Sequence, residues 1–486
     1  MSLENLTKDL NIILNSFVDL VGCDGGSIYT LEQSPVGDSV LVFKAMVTRS
    51  VGIHAVPDQL KEVMYRLDET SLVGRTGLHR KVFKESYQGK TDRAAHTDQL
   101  LQYTTRNILS APLMTPRGDL VGVVQLVNKL THLDSAGPSA EIEFTAHDER
   151  LCSIVSGQAA LSIENSKLLL EQEKILDGFV NACVTAIEAR DPVTSGHSQR
   201  VCDLTLVLAE NVNKTESGDL GLINFSGTQL RELRYAAMLH DIGKISVKED
   251  ILQKEKKLFP WELELIQMRF KLMRSSLKHQ LHGQKHQLEL ARKLKDLEKA
   301  LQLILTANEP SVLPQEVSKT IVELTKLEVE LDDHEVCCAL THHEQQRLCI
   351  PRGSLSQVER IEIEKHVSFT YEILRLVPWS RGLENVPHIA HRHHEKLDGS
   401  GYPVKVRGPE IPIQSRMITI CDIYDALTAK DRPYKAAVPI DRALMILEDE
   451  VKQGKLDPAL FKLFIDSKVY INPSILEPVR AVKKLA

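Results

Sequence analysis

Between Gly25 and Lys129, short runs rich in β-branched and aromatic residues (27–31, 40–43 and 120–127) alternate with stretches of helical period. The turn Pro116-Arg117-Gly118-Asp119 joins residues 109–114 to the last run, which predicts an antiparallel pair inside an α+β domain. After Asp148 the chain continues to Glu188 without proline, its only glycines being Gly157 and Gly178, while Ile154, Leu161, Leu168, Ile175 and Leu176 recur close to a seven-residue step. That period predicts a long helix with a coiled-coil seam, a stiff rod between domains. An apolar stripe on such a helix calls for a partner, so a parallel homodimer is expected; packing on the chain's own domains is the other reading.

Beyond the rod the pattern is helical throughout. The run Tyr235-Ala-Ala-Met-Leu239 reads as a buried helix closing on His240 and Asp241, with Gly243 loosening it. On one helix neighbouring residues diverge by about 100°, so these two side chains can serve different sides of one site. Farther on, Ser356 and Glu359 have capping-box spacing, and Ile363, His366, Thr370, Ile373 and Val377 fall on one helical face. A histidine on an apolar face is ordinarily a core residue. Between these segments lie a proline-free run, 261–309, with Leu290, Leu294, Leu297, Leu301 and Ile304 stepping by four and three, and then residues 315–348 after Pro310 and Pro314. Two helices joined by a proline-bounded turn predict an antiparallel hairpin. Its first helix is basic, with His279, His282 and His286 on one face, which reads as a solvated surface or as a docking surface for a partner protein.

Composition narrows the class. A chain of 486 residues accommodates about three domains. Its net charge of -6 gives no reason to expect a nucleic acid polymer or a membrane as partner. No stretch of 18 apolar residues occurs, and the opening MSLENLTKDL is too polar for a signal peptide, so a cytoplasmic protein is expected. Eight cysteines are scattered without a CxxC and read as reduced packing residues.

Chemistry concentrates in residues 391–403, HRHHEKLDGSGYP, where His393 and His394 precede Glu395, Asp398 and a glycine-broken loop. Imidazoles beside carboxylates, without paired cysteines, suit iron or manganese better than a thiolate site. Together with His240-Asp241-Ile242-Gly243-Lys244, this stretch resembles the HD-GYP family of metal-dependent phosphodiesterases that open cyclic di-GMP; the resemblance spans roughly residues 179–464, interrupted by one insert. The amino-terminal part is similar to a GAF domain, carried by Asn128-Lys129 and by Phe144, Asp148 and Glu149 in the NK…FxxxDE pattern. In that family the Lys and Asp pair to hold the fold, and many members bind a cyclic nucleotide.

The resemblances imply an α+β GAF domain (1–165), a connecting signalling helix (150–186), and an all-α HD-type domain (187–486) carrying the helical-hairpin insert (269–352). The implied metal ligands are His197, in GHSxR, with His240, Asp241, His366, His393, His394 and Asp422. Spacing alone would make His197 a helix-start residue, and Asp425 lies on nearly the same face as Asp422; the family register chooses between them. The usual place for the next histidine, about thirty residues after the HD pair, holds Arg269 and Phe270, and the register selects His366 because it precedes His393 by the spacing expected between the corresponding family ligands. The letters His342-His343-Glu344 are set aside, since no aspartate-glycine loop follows. Val193 stands where some members have a glutamate holding a third metal, so two divalent cations are expected.

By the same resemblance Asp241 bridges the cations, Lys244 reaches the phosphate being cleaved, Gly401, Tyr402 and Pro403 line the substrate groove, and Arg432 and Lys435 grip a phosphate. A cation pair about 3.5 to 4 Å apart supplies hydroxide near neutrality and needs no side-chain nucleophile. The expected reaction is hydrolysis of cyclic di-GMP to pGpG, or on to GMP, under GAF control. Hydrolysis of cyclic GMP-AMP is the rival within the enzyme class, and a catalytically weak dinucleotide sensor or scaffold is the rival outside it.

Overall fold

The computed structural model describes residues 3–34, 37–53, 56–57, 60, 63–87, 98, 102–130, 143–191, 195–281, 286–331, 335–429 and 437–471. The chain divides into two units, Met1–Gly178 and Phe179–Ala486.

In the first unit, α1 (Leu3–Val21) is followed by β1 (Cys23–Gln33), β2 (Ser39–Thr48), β3 (Met64–Arg66), α2 (Leu72–His79), β4 (Phe83–Ser86), β5 (Asn107–Met114) and β6 (Leu120–Lys129). The strands form one antiparallel sheet in the order β3-β2-β1-β6-β5-β4, and β5 pairs with β6 as the turn at Gly118 requires. One face packs Leu10, Leu14 and Phe17 of α1 together with Cys152, Ala160 and Ile163 of α3 (Ala146–Arg190). The other face gathers Tyr29, Phe43, Met46 and Val73 beside a cavity of about 470 Å³ lined by Tyr65, Ser71, Tyr103 and Gln125. Lys129 Nζ lies 2.7 Å from Asp148 Oδ1, tying the end of the last strand to the start of α3.

The boundary between the units falls within α3, a helix of 45 residues. Ile154 and Ile175 on the expected seam are 70% and 73% exposed, so nothing among the described residues covers them.

The second unit is built mainly of helices: α4 (His197–Asn213), α5 (Gly227–Leu239), a 3₁₀ turn (Ile242–Ser246), α6 (Glu249–Leu252), α7 (Pro260–Gln280), α8 (Gln287–Ala307), α9 (Gln315–Leu324), α10 (His342–Leu348), α11 (Gln357–Leu374), α12 (Val386–His391), α13 (Ile413–Thr428), α14 (Ile440–Lys452) and α15 (Pro458–Asp466). Ser226 with Gln229 and Ser356 with Glu359 close the capping boxes of α5 and α11. Gly243 is where the 3₁₀ turn meets α11 backbone to backbone, since a Cβ there would lie 1.9 Å from the His366 carbonyl oxygen. No side chain fits between those segments.

The insert differs from its expected form. Residues 261–309 are not one helix: α7 ends at Gln280 and α8 begins at Gln287, so the hairpin turns here rather than at Pro310 and Pro314. His279 and His286 consequently sit on different helices instead of one face, and His282 lies outside the described residues. Residues 315–348 likewise form two short helices around a two-stranded ribbon, β7 (Glu328–Glu330) with β8 (Val336–Cys338). The insert has its own core, running from Leu258 through Ile266, Phe270, Ile304 and Ile321 to Leu348, and so begins earlier in the chain than residue 269.

Candidate metal centre

Four segments of the second unit end at one place, and the end of each supplies a side chain. Helix α5 terminates at its C-cap, His240, and Asp241 opens the 3₁₀ turn, so the pair straddles a helix end instead of lying on one helix as expected. Helix α4 starts with His197, α12 runs out just before His393 and His394, and α11 and α13 present His366 and Asp422 from their interiors.

Three of the histidines are held alike. The Nδ1–H of His240 donates to the Ala237 carbonyl at 2.7 Å, that of His366 to Ile363 at 2.6 Å, and that of His393 to Ala390 at 2.6 Å. Each bond fixes the tautomer and turns Nε2, with its lone pair, inward. All three Nε2 atoms are buried without a hydrogen-bond partner. Buried polar nitrogens are normally satisfied, and three orphans facing one another are what a cation site requires.

His197 is oriented by a carboxylate instead. Its Nδ1 lies 2.8 Å from Asp425 Oδ2, and Arg200 grips the same carboxylate through Nε at 2.7 Å and Nη2 at 3.1 Å. Its Nε2 faces Asp422 Oδ1 at 3.3 Å. Two sets of donor atoms result, Asp241 with His366, His393 and His394, and His197 with His240 and Asp422, each set within 4.8 Å of one another. Asp241 faces both: Oδ1 is 3.2 Å from His366 Nε2, and Oδ2 is 3.3 Å from His240 Nε2.

The charge states of Asp241, Asp422, His393 and His394 suit cation binding. Burial opposes charge on Asp241, but Lys244 and His240 outweigh it and hold the carboxyl well below its usual range. Burial also works against Asp422, whose carboxyl is nevertheless kept low by the hydrogen bond from His197. Burial pushes His393 well below 6.5 and His394 down to about 3, leaving both imidazoles neutral with lone pairs free. His197 moves up to about 9, because Asp422 and Asp425 override its burial. Lys244 Nζ sits 2.8 Å from Asp241 Oδ2 and 3.8 Å from Asp191 Oδ2.

The glycine-rich loop closes against this centre. A Cβ on Gly401 would lie 2.4 Å from Lys396 N and 2.6 Å from the His394 carbonyl oxygen, so only glycine allows the loop to fold onto the histidine segment. Tyr402 follows with its ring 4.8 Å from that of His394, and a cis bond leads to Pro403. Glu395 Oε1 accepts the Val404 and Lys405 N–H groups, holding the far side of the loop. Val193, Arg432 and Lys435 lie outside the described residues.

The set-aside residues belong elsewhere. Thr341 caps α10 with Glu344, and Glu344 pairs with Arg269 inside the insert. Arg200, the last residue of the GHSxR stretch, joins the site unexpectedly; its spacing of three from His197, one helical turn, is the signal the sequence holds for it.

A helical domain with two clusters of histidine and aspartate that could hold metal ions, preceded by an α+β sheet domain, defines a two-domain protein with a candidate metal centre in its second half. Two family models described as HD domain match residues 194–341 and 305–460, and one described as GAF domain matches residues 5–163. The chain joins a GAF domain to an HD domain. Among similar proteins of Vibrio cholerae, 3'3'-cGAMP-specific phosphodiesterase 3 is 44% identical over 110 residues, covering 22% of this chain and 23% of its own. There, 3'3'-cGAMP-specific phosphodiesterase 1 is 32% identical over 172 residues, covering 34% and 39%. A probable cyclic di-GMP phosphodiesterase is 27% identical over 300 residues, covering 61% and 45%. The chain thus spans less than half the length of each of these relatives.

Proposed function

We propose that the protein is a metal-dependent phosphodiesterase that opens cyclic di-GMP to linear pGpG in the cytoplasm, under control of its GAF domain. The observation that carries this reading is the convergence of three orphaned, carbonyl-anchored Nε2 atoms on two carboxylates. His197, His240 and Asp422 would hold one cation, and His366, His393 and His394 the other. Asp241 would bridge them, one oxygen toward each set. Nitrogen and oxygen donors without thiolate suit iron or manganese.

When bound, such a pair lowers the pKa of a water and neutralises charge on a phosphoryl group. The protein supplies the rest. Lys244, held against Asp241, places an ammonium where the phosphoryl oxygens gain charge. Gly401, Tyr402 and Pro403 form a wall against which a nucleobase packs, with the Tyr402 ring already beside His394. Arg432 and Lys435 keep the phosphate-gripping role that the family pattern gives them.

Two regulatory features support the same reading. The cavity of about 470 Å³ in the GAF domain, lined by Tyr29, Tyr65, Ser71, Tyr103 and Gln125, is assigned to a small effector, a cyclic nucleotide. The exposed seam of α3 is assigned to a homodimer.

Cyclic di-GMP turnover with iron or manganese tests the proposal: wild type is expected to be active and Asp241→Ala to lose at least about a thousandfold. Equal rates would end the enzyme reading. A second substrate, 3'3'-cGAMP, is favoured by the names of two of the relatives. The kcat/KM ratio for the two dinucleotides decides between them.

A further inference from the structure

The insert carries an apolar stripe that nothing among the described residues covers. On α7, Trp261, Leu265, Met268 and Leu272 follow one another at steps of four, three and four, the spacing of a coiled-coil seam. They are exposed to 52%, 55%, 64% and 48%, on the side away from the inward-facing Ile266, Phe270, Met273 and Leu277. A run of four large apolar side chains on one exposed helix face marks an interaction surface. Trp261 is also held in place, its ring stacked on Phe259 at 4.4 Å and 8°, so it meets a partner without first being ordered.

Charge identifies the partner. Flanking the stripe, Glu264 stands near the start of α7, and Lys271 and Lys278 stand toward its end, all exposed. Along the same edge the helix is therefore acidic first and basic afterwards. Such an edge complements an antiparallel copy of itself, where like edges meet and the acidic end of one lies beside the basic end of the other. With two α7 helices antiparallel, Leu265 faces Met268, Trp261 faces Leu272, and Glu264 of each copy lies opposite Lys271 of the other, twice by symmetry.

We propose that α7 is a self-association surface through which two copies of this chain pack antiparallel around a two-fold axis midway between Leu265 and Met268. The contact is separate from the α3 seam and does not depend on the phosphodiesterase reading. Two contacts of this kind on one chain link copies into higher assemblies.

The test uses the full chain with Met268→Cys, mixed in equal parts as ¹⁴N and ¹⁵N protein and treated with a short bismaleimide. Mass spectrometry then looks for the mixed-isotope 268–268 peptide. The expected result is efficient linkage that falls about tenfold in Glu264→Lys and in Lys271→Glu, and returns in the double exchange, because each single change sets like charges opposite one another. Absence of the linked peptide, or linkage indifferent to the charge exchange, would overturn the proposal. Both charged positions are exposed, so neither substitution threatens folding, and because no arm reads turnover, failure here leaves the catalytic proposal standing.

Discussion

Asp425 stands outside the two donor sets, yet it decides which nitrogen of His197 is available. It takes the Nδ1 side while Arg200 clamps both of its oxygens, so Nε2 is left for the centre. Arg200→Met is therefore expected to weaken metal binding about 10- to 100-fold, the usual cost of losing a group that orients a ligand. Arg200→Lys, which cannot make the planar two-point grip, should recover only part of it. Competition titration against a chromogenic chelator, with circular dichroism to confirm folding, measures both. At this scale the sequence is partly readable. The HHE and HD clusters stand out as letters, whereas His366 is an ordinary apolar-face histidine until a family register singles it out. The distinction between Asp422 and Asp425 is one of three-dimensional aim: both lie on α13, and only the positions of His197 and Arg200 separate them.

At the level of elements, two joints carry predictions. Where the 3₁₀ turn crosses α11, Gly243→Ala would drive a methyl into the His366 carbonyl, and about 3 kcal/mol of destabilisation is expected, read as a lower urea midpoint. In the GAF domain, burial opposes the Asp148 charge, but the Lys129 ammonium and the Thr145 hydroxyl and N–H outweigh it and lower its pKa from 3.8. Its contribution is complete above that value and is lost as pH falls through the lowered one. Asp148→Asn is expected to cost about 2 kcal/mol at neutral pH and almost nothing in strong acid, as compared by urea unfolding across pH. The helices α3 and α11 were legible because period and caps agree over many turns. The ribbon of β7 and β8 was not, since three residues per strand are too few to establish a period, and the break between α7 and α8 carries no proline to announce it.

For the whole molecule, the insert and the metal centre are separate constructions. The seven proposed ligands lie outside residues 258–349, and the insert buries its own core. Replacing residues 260–348 by a short flexible linker is expected to leave two metals per chain, counted by elemental analysis, while abolishing the α7 cross-link. One carboxylate nevertheless belongs to both constructions. Glu359 completes the cap of α11, receives Lys254 at 2.9 Å, and meets Arg347 from the last helix of the insert at 2.9 Å. Two turns farther along the same rigid cylinder stands His366. Whatever grips the hairpin therefore has its hand on a lever whose short arm ends at an imidazole.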